Sequence, residues 1–216
     1  MYSLTIEEIL SYVRTSMDEI ELNASSALGV QSDDLAIETL TKESIVEAIF
    51  NTHMIASPSL LYGKMANDSD YKKTVLDGVC TIEMNVDVLR ITSFHSMDSD
   101  VVLTAIIEED SPEGRMQNNP YVRGIYDSPV LVVTRKSTGY KPVLKYFSLK
   151  DKSVLPENVK LEISYIPMPE KGRNSYEISP DLRFAVLNMV VSIVLMALRE
   201  EQLSGIFKSR AEAYLK

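Results

Sequence analysis

SPDLRFAVLNMVVSIVLMAL, residues 179–198, is the stretch whose reading decides the fold. Ser179 is a good N-cap, and Pro180 suits the first helical position, where no backbone N–H is needed. Asp181 sets a carboxylate against the positive end of the helix dipole. From Phe184 to Leu198 no residue is charged, and only Asn188 and Ser192 are strongly polar. A helix apolar on nearly all sides is buried on nearly all sides. A membrane span needs about 20 apolar residues. Phe184–Leu198 supplies 15, closed by Arg183 and Arg199 and carrying Asn188 inside. The stretch therefore predicts a central core helix and not membrane insertion. One narrow stripe departs from the apolar pattern: Asp181, Ala185, Asn188, Ser192 and Arg199. That is where a second helix or a neighbouring subunit is expected to come close.

Outward from this helix, the 216-residue chain is 45% apolar and 25% charged, ordinary for one globular domain with or without an appendage. Its 22 Lys and Arg against 31 Asp and Glu leave a net charge of −9. A field of that sign repels phosphate and argues against nucleic-acid binding as the main task. Cys80 is the only cysteine, so no disulfide forms within the chain, which fits a reducing compartment. MYSLTIEEIL has neither a basic start nor an apolar run, so no signal peptide is expected. The charge is uneven. Residues 1–40 carry eight acids against Arg14 alone, and residues 135–173 carry nine bases against four acids. Two readings stay open: solvated faces, or an electrically polar subunit that packs head to tail on others.

Helical spacing puts Ile6, Ile9, Leu10, Val13, Met17 and Ile20 on one face of a helix over about 5–22, with Thr5 and Glu8 as a capping box. Residues 23–40 are polar and small, with Gly29 as a stop and Ser32-Asp33-Asp34 as a turn or short helix start. Thr41 is expected to cap a second helix over about 42–56, with Ile45, Val46, Ile49, Phe50 and Met54 on its apolar side. Ser57-Pro58 ends it. Residues 57–78 read as a connector, exposed over 67–73. After Gly78 the period changes to that of strands. Strands are expected at 79–84, at 88–94 with Val88, Arg90, Thr92 and Phe94 on one face, at 120–127, at 129–135, at 143–149, and last at 159–166. The run 101–107 is either a strand or a short helix, and 108–119 an exposed loop. Ser137-Thr138-Gly139 is a hairpin-type turn. A last helix is expected over 203–216, with Leu203, Ile206, Phe207, Ala211 and Tyr214 on one side. Gly205 inside it costs about 1 kcal/mol relative to alanine, a cost consistent with close approach to the preceding helix.

No stretch carries chemistry. The sequence has no glycine-rich phosphate loop, no paired-cysteine site and no His-Glu-x-x-His pattern. His53, on a half-buried helix, and His95, at a strand end, are the only histidines and do not make a metal site. Cys80 lies between Val79 and Ile82 with no nearby base and reads as an inert buried thiol. Asp98-Ser99-Asp100 and Glu108-Glu109-Asp110 lack the spacing of a cation loop. They read as solvated loops, with contact to a basic neighbour as the alternative. Arg90 and Arg123 read as structural partners for loop acids. Catalytic, cofactor-binding and metal-binding residues are therefore all expected to be none, and the chain is expected not to be an enzyme.

The order of these parts resembles the head-to-tail connector (adaptor) proteins of tailed bacteriophages. The likeness lies in NVDVLRITSFHS (85–96), NPYVRGIYDSPVLVVTR (119–135), VKLEISYIPMPE (159–170) and the closing helix pair from Ser179 to AEAYLK (211–216). It covers roughly residues 5–216 as pattern, and is closest to ring proteins of crAss-like and other short-tailed phages. The resemblance implies a homo-oligomeric ring, usually of twelve subunits, below the portal protein. Such a ring extends the DNA channel and carries other tail proteins, so the protein would sit in the virion neck after assembly in the host cytoplasm. DNA would pass through without specific binding, as a net acidic lumen favours. The family has no catalytic motif. Some adaptors carry a long C-terminal extension into the portal. This sequence stops at Lys216, near the end of its last helix, so docking through helix ends or β loops is expected instead.

The expected fold class is α+β: N- and C-terminal helices form a helical bundle with an inserted, mostly antiparallel β-rich domain. The expected boundaries are 1–78 for the N-terminal helices and connector, 79–170 for the β-rich insertion and 171–216 for the C-terminal helix pair. The alternatives to a ring or adaptor are a tail-completion or stopper protein and a cytosolic, non-enzymatic binding module.

Overall fold

Thr5 ends the first strand and starts the first helix. Strand β1 is Tyr2–Thr5 and helix α1 is Ile6–Asn23. The Thr5 hydroxyl accepts the Glu8 N–H at 3.2 Å, which is half of a capping box. The Glu8 carboxylate turns elsewhere, accepting the Tyr2 hydroxyl at 2.9 Å and Arg183 Nε at 2.5 Å. The computed structural model describes residues 1–23, 34–97, 99–125, 127–135, 140–147, 149 and 155–216, with 21–23 and 34 by backbone alone. The hairpin-type turn read at 137–139, the stop at Gly29 and the turn at Ser32-Asp33 lie outside the described residues.

Over those residues the chain is α+β, with five helices and sheets that are antiparallel except for one short parallel pair. It divides into two units. One takes Met1–Leu61 with Pro169–Lys216, and the other takes Tyr62–Met168. The second unit therefore begins earlier than 79, because the stretch read as a connector holds strands.

In the first unit, helix α2 runs Asp34–Ile55, one and a half turns or more longer than expected at its start. Thr41 is consequently not a cap. It is buried inside the helix, and its hydroxyl has no hydrogen-bond partner among the described residues. The buried face carries Ile37, Ile45, Ala48, Ile49, Thr52 and His53, while Met54 is 40% exposed. The central helix enters through a 3-10 turn at Pro180–Leu182 and becomes α4 at Arg183–Ala197. Ser179 precedes that turn but its side chain makes no capping bond. Ten of the fifteen α4 residues are buried. Pro180–Ala197 is long and apolar enough to cross a membrane by length and composition, and 61% of it is buried inside the protein. It shares a core with Leu4, Ile9, Val13, Ile45, Ile49 and Phe207.

Helix α5 is Glu201–Ala213, reached through Arg199 at φ 65. The polar stripe of α4 meets α5 at Ser192. Its hydroxyl donates to the Ser204 carbonyl at 3.0 Å, and the Ser204 hydroxyl donates back to the Ser192 carbonyl at 2.9 Å. Two buried hydroxyls are thus satisfied where the helices come together. Gly205 is not at that contact. A Cβ added there meets nothing within 4 Å, and neighbouring Ile206 is 50% exposed. Gly205→Ala should therefore raise stability by about 1 kcal/mol, read from the denaturant midpoint at unchanged slope.

A strand that the sequence reading omitted closes this unit. Past Pro169 the chain adds β11, Ser175–Ile178, which pairs antiparallel with β1, Leu4 opposite Tyr176.

The second unit holds two sheets. One has the order β2-β10-β5-β6, from β2 (Lys64–Met65), β5 (Val88–Ser96), β6 (Val102–Leu103) and β10 (Leu161–Pro167). The other has the order β3-β4-β9-β8-β7, from β3 (Tyr71–Leu76), β4 (Val79–Met84), β7 (Ile107–Glu108), β8 (Val130–Thr134) and β9 (Val143–Phe147). Among the described residues of 120–127, expected as a strand, the one β pairing is an isolated bridge, Ile125 to Ser128. Strand β5 does not keep simple alternation. Its register with β10 shifts near Ser164/Tyr165 and Ile166/Pro167, so Val88, Ile91 and Phe94 reach one core while Arg90 does not. Phe94 and Tyr146 bring their rings to 5.0 Å in that core.

Candidate interaction surface

The residues that sequence chemistry singled out do not converge. His53 is fully buried in α2, with Nδ1 2.9 Å from the Ile49 carbonyl and Nε2 3.5 Å from the Ser179 N–H. One donor-side and one acceptor-side contact suit a neutral ring protonated on Nδ1. Cys80 is fully buried in β4. Among the described residues, no three or more His, Cys, Asp or Glu side chains gather as a metal site would require.

His95 lies on β5 with Nδ1 3.2 Å from Glu162 Oε2 and Nε2 2.8 Å from the Ser99 carbonyl. The Glu162 bond first, and the Ser99 carbonyl second, raise its pKa above the ordinary histidine value. A raised folded-state pKa gives stability that is fully present below the unfolded value, near 6.5. It fades as pH rises through the folded value. Glu162→Gln should bring the His95 titration, followed by imidazole NMR shifts, down toward 6.5. An unchanged midpoint would reject the assignment to Glu162.

Glu108 and Glu109 find their basic neighbours within the chain. Glu109 accepts Lys145 Nζ at 2.6 Å and the Thr134 hydroxyl at 2.5 Å, which together hold its carboxyl below the usual range. Glu108 stands 3.7 Å from Arg135 Nε. Lys145, in the basic segment read for head-to-tail packing, is thus engaged inside its own chain. Arg123 donates to the Asp77 carbonyl at 3.3 Å, not to a loop acid. Arg90 is half-buried, and burial and the Arg135 charge both push its pKa down. Of the other acidic cluster, Ser99 is buried and its hydroxyl accepts the Val101 N–H at 3.2 Å, while Asp98 lies outside the described residues.

What composition did not single out is the loop between β7 and β8. It opens with α3, Pro112–Met116, capped by the Ser111 hydroxyl, which accepts the Gly114 N–H at 3.0 Å. Gly114 is pressed against the end of β7. An added Cβ would overlap the Glu108 carbonyl and stand 2.9 Å from the Glu109 backbone. Gln117, buried, reaches across the loop and accepts the Gly124 N–H at 2.7 Å. The Asn119 side chain accepts the Tyr121 N–H at 3.0 Å. Gly124 sits 3.0 Å from the Val130 side chain by the same measure.

These bonds fix a loop that turns its large apolar side chains outward. Tyr121 is 94% exposed and Ile125 62%, with Met116 and Val122 about half exposed. Scattered apolar residues on a surface are ordinary, but four on one short, internally bonded loop make it the candidate contact surface. Its sequence is expected as an exposed loop up to Asn119 and as a strand from Pro120, so the outward turn of Tyr121, Val122 and Ile125 is not anticipated. Compared with protein-family models and with curated proteins, the chain matches none.

Proposed function

We propose that the chain is a structural virion protein, a ring-forming subunit of a head-to-tail connector that sits below the portal and extends the DNA channel. The observation that supports this reading is the order of parts. Both ends of the chain enter one unit, and the strand-rich residues 62–168 form the other. That is the order on which the resemblance to the phage adaptors rests. In this reading the helices of both ends make a bundle, the β-rich part is an insertion, and the bundle is hidden by its own chain rather than by lipid. Copies and tail proteins meet at protein surfaces such as the Met116–Ile125 loop. The net charge of −9 lets DNA pass without being held.

The experiment is a mass measurement on the purified chain, alone and mixed with the portal ring of the same phage, with images of whatever forms. The expected result is a large closed ring, alone or seated on the portal. A chain that stays small in both mixtures overturns the reading and favours the binding module. A ring found below another neck protein and away from the portal favours the stopper.

A further inference from the structure

Strand β3 is the open edge of the five-stranded sheet. Asp77 and Gly78, at φ 51 and φ 76, join it to β4 as a two-residue hairpin of the type that needs positive φ at both positions. The pair that closes such a hairpin, Leu76 and Val79, is a hydrogen-bonded one, and such pairs recur at every second residue. The Asn85 N–H donating to the Asp70 carbonyl at 2.7 Å continues the same series. Lys72, Thr74 and Leu76 therefore give their backbone groups to β4. The N–H and C=O of Tyr71, Lys73 and Val75 point away from the sheet, and they meet no partner among the described residues.

The opposite edge is treated differently. At β7 the Ser111 N–H and hydroxyl both donate to the Glu108 carbonyl, at 3.1 and 2.7 Å, and α3 folds against the strand at Gly114. Among the described residues the turn at Pro156–Asn158 lies near β3 but no strand pairs with its outer edge, which is the arrangement that accepts another strand.

The side chains of β3 indicate a second copy of itself. Antiparallel self-pairing that sets the outward backbone groups against one another can centre on Lys73, Thr74 or Val75. Centring on Lys73 sets the two Lys73 side chains, each donating to its own chain's Val159 carbonyl, directly opposite with like charge, which is destabilising. Centring on Val75 runs the ladder into Asp77, whose backbone has left the extended region. Centring on Thr74 avoids both faults. Lys73 then pairs with Val75 of the other copy and lies diagonal to that copy's Asp77 and Lys73 alike. Thr74 meets Thr74, and Lys72 lays its stem over Leu76, which is 72% exposed in the single chain.

We propose that free chains pair two-fold through β3 in this register, joining their five-stranded sheets into one. A two-fold contact uses the same surface on both copies and closes at two, whereas a ring needs a head-to-tail contact. The pair is thus a state of the free subunit, separate from the ring and testable without it.

The test uses the full chain with Thr74→Cys. Facing residues of a non-hydrogen-bonded antiparallel pair lie about 4.5 Å apart at Cα, within disulfide reach. Mild oxidation with diamide should give a covalent dimer. Lys72→Cys alone should not, while Lys72→Cys with Leu76→Cys should. The unaltered chain, whose Cys80 is buried, should stay uncrosslinked. No cross-link from Thr74→Cys, or equal cross-linking from Lys72→Cys, overturns the register. In parallel, sedimentation should show a monomer–dimer equilibrium that Val75→Pro weakens roughly tenfold or more, since it removes an outward donor from each copy. Circular dichroism checks that this variant folds. Monomer at every concentration, or an undiminished dimer in a folded Val75→Pro, overturns the proposal.

Discussion

Leu187→Ala should destabilise the unit formed by the chain ends by about 2–5 kcal/mol, a large share of the ~5–15 kcal/mol that holds a typical domain. Leu187 is 1% exposed at the middle of α4, in the same core as Ile9, Val13, Ile45, Ile49 and Phe207. Truncation removes apolar contact and leaves a space that neighbours on several helices cannot all fill. Amide hydrogen exchange localises the effect. Protection should fall across α1, α2, α4 and α5 while β4 and β9 keep theirs, because those strands belong to the other unit. Equal loss in β4 and β9 would mean that the two units open together.

Gly114→Ala should cost about 1–3 kcal/mol by overpacking, and should cost it in the other unit. The methyl group would overlap the Glu108 carbonyl, and the atoms in its way are backbone, which cannot rotate aside. To admit it, α3 must lift from β7, and the Ser111 bonds to Glu108 must lengthen. The outward loop would lose its fixed shape. Faster proteolytic cleavage within 115–125, against an unchanged rate at the helical ends, is the reading expected. The contrast with Gly205→Ala, where the same methyl group enters open space on a helix and stabilises, makes the pair a direct check on where glycine is required.

The two glycines also show how far the sequence could be read. Helical period located α1 and α4 to within a few residues, because long apolar runs leave little choice. It failed at Thr41, where a good capping residue is buried inside a longer helix and the hydrogen-bonding preference of one side chain yields to packing. It placed a close helix contact at Gly205, when the contact belongs to Ser204 one residue earlier. Small residues say that something is near or that nothing is, and spacing alone does not separate the two. Strands β1 and β11 were missed because each is four residues long and gains its order from the other. Of the residues expected as a strand over 120–127, Tyr121, Val122 and Ile125 carry strand-forming side chains yet lie on a loop with those side chains turned outward. That outward turn was not legible, since exposure is a property of the folded chain.

The register of β1 against β11 also fixes an order of events during synthesis. Thr5 lies opposite Ser175, and the Ile6 N–H donates to the Asn174 carbonyl at 3.0 Å. Leu4, Ile9 and Val13 leave the ribosome before Tyr176, Ile178 and the α4 residues with which they are buried. The segment 62–168 has all its strand partners within itself and is complete before then. The nascent chain thus carries an unsatisfied apolar segment until those residues emerge, a window in which chaperone capture or premature self-association competes with closure.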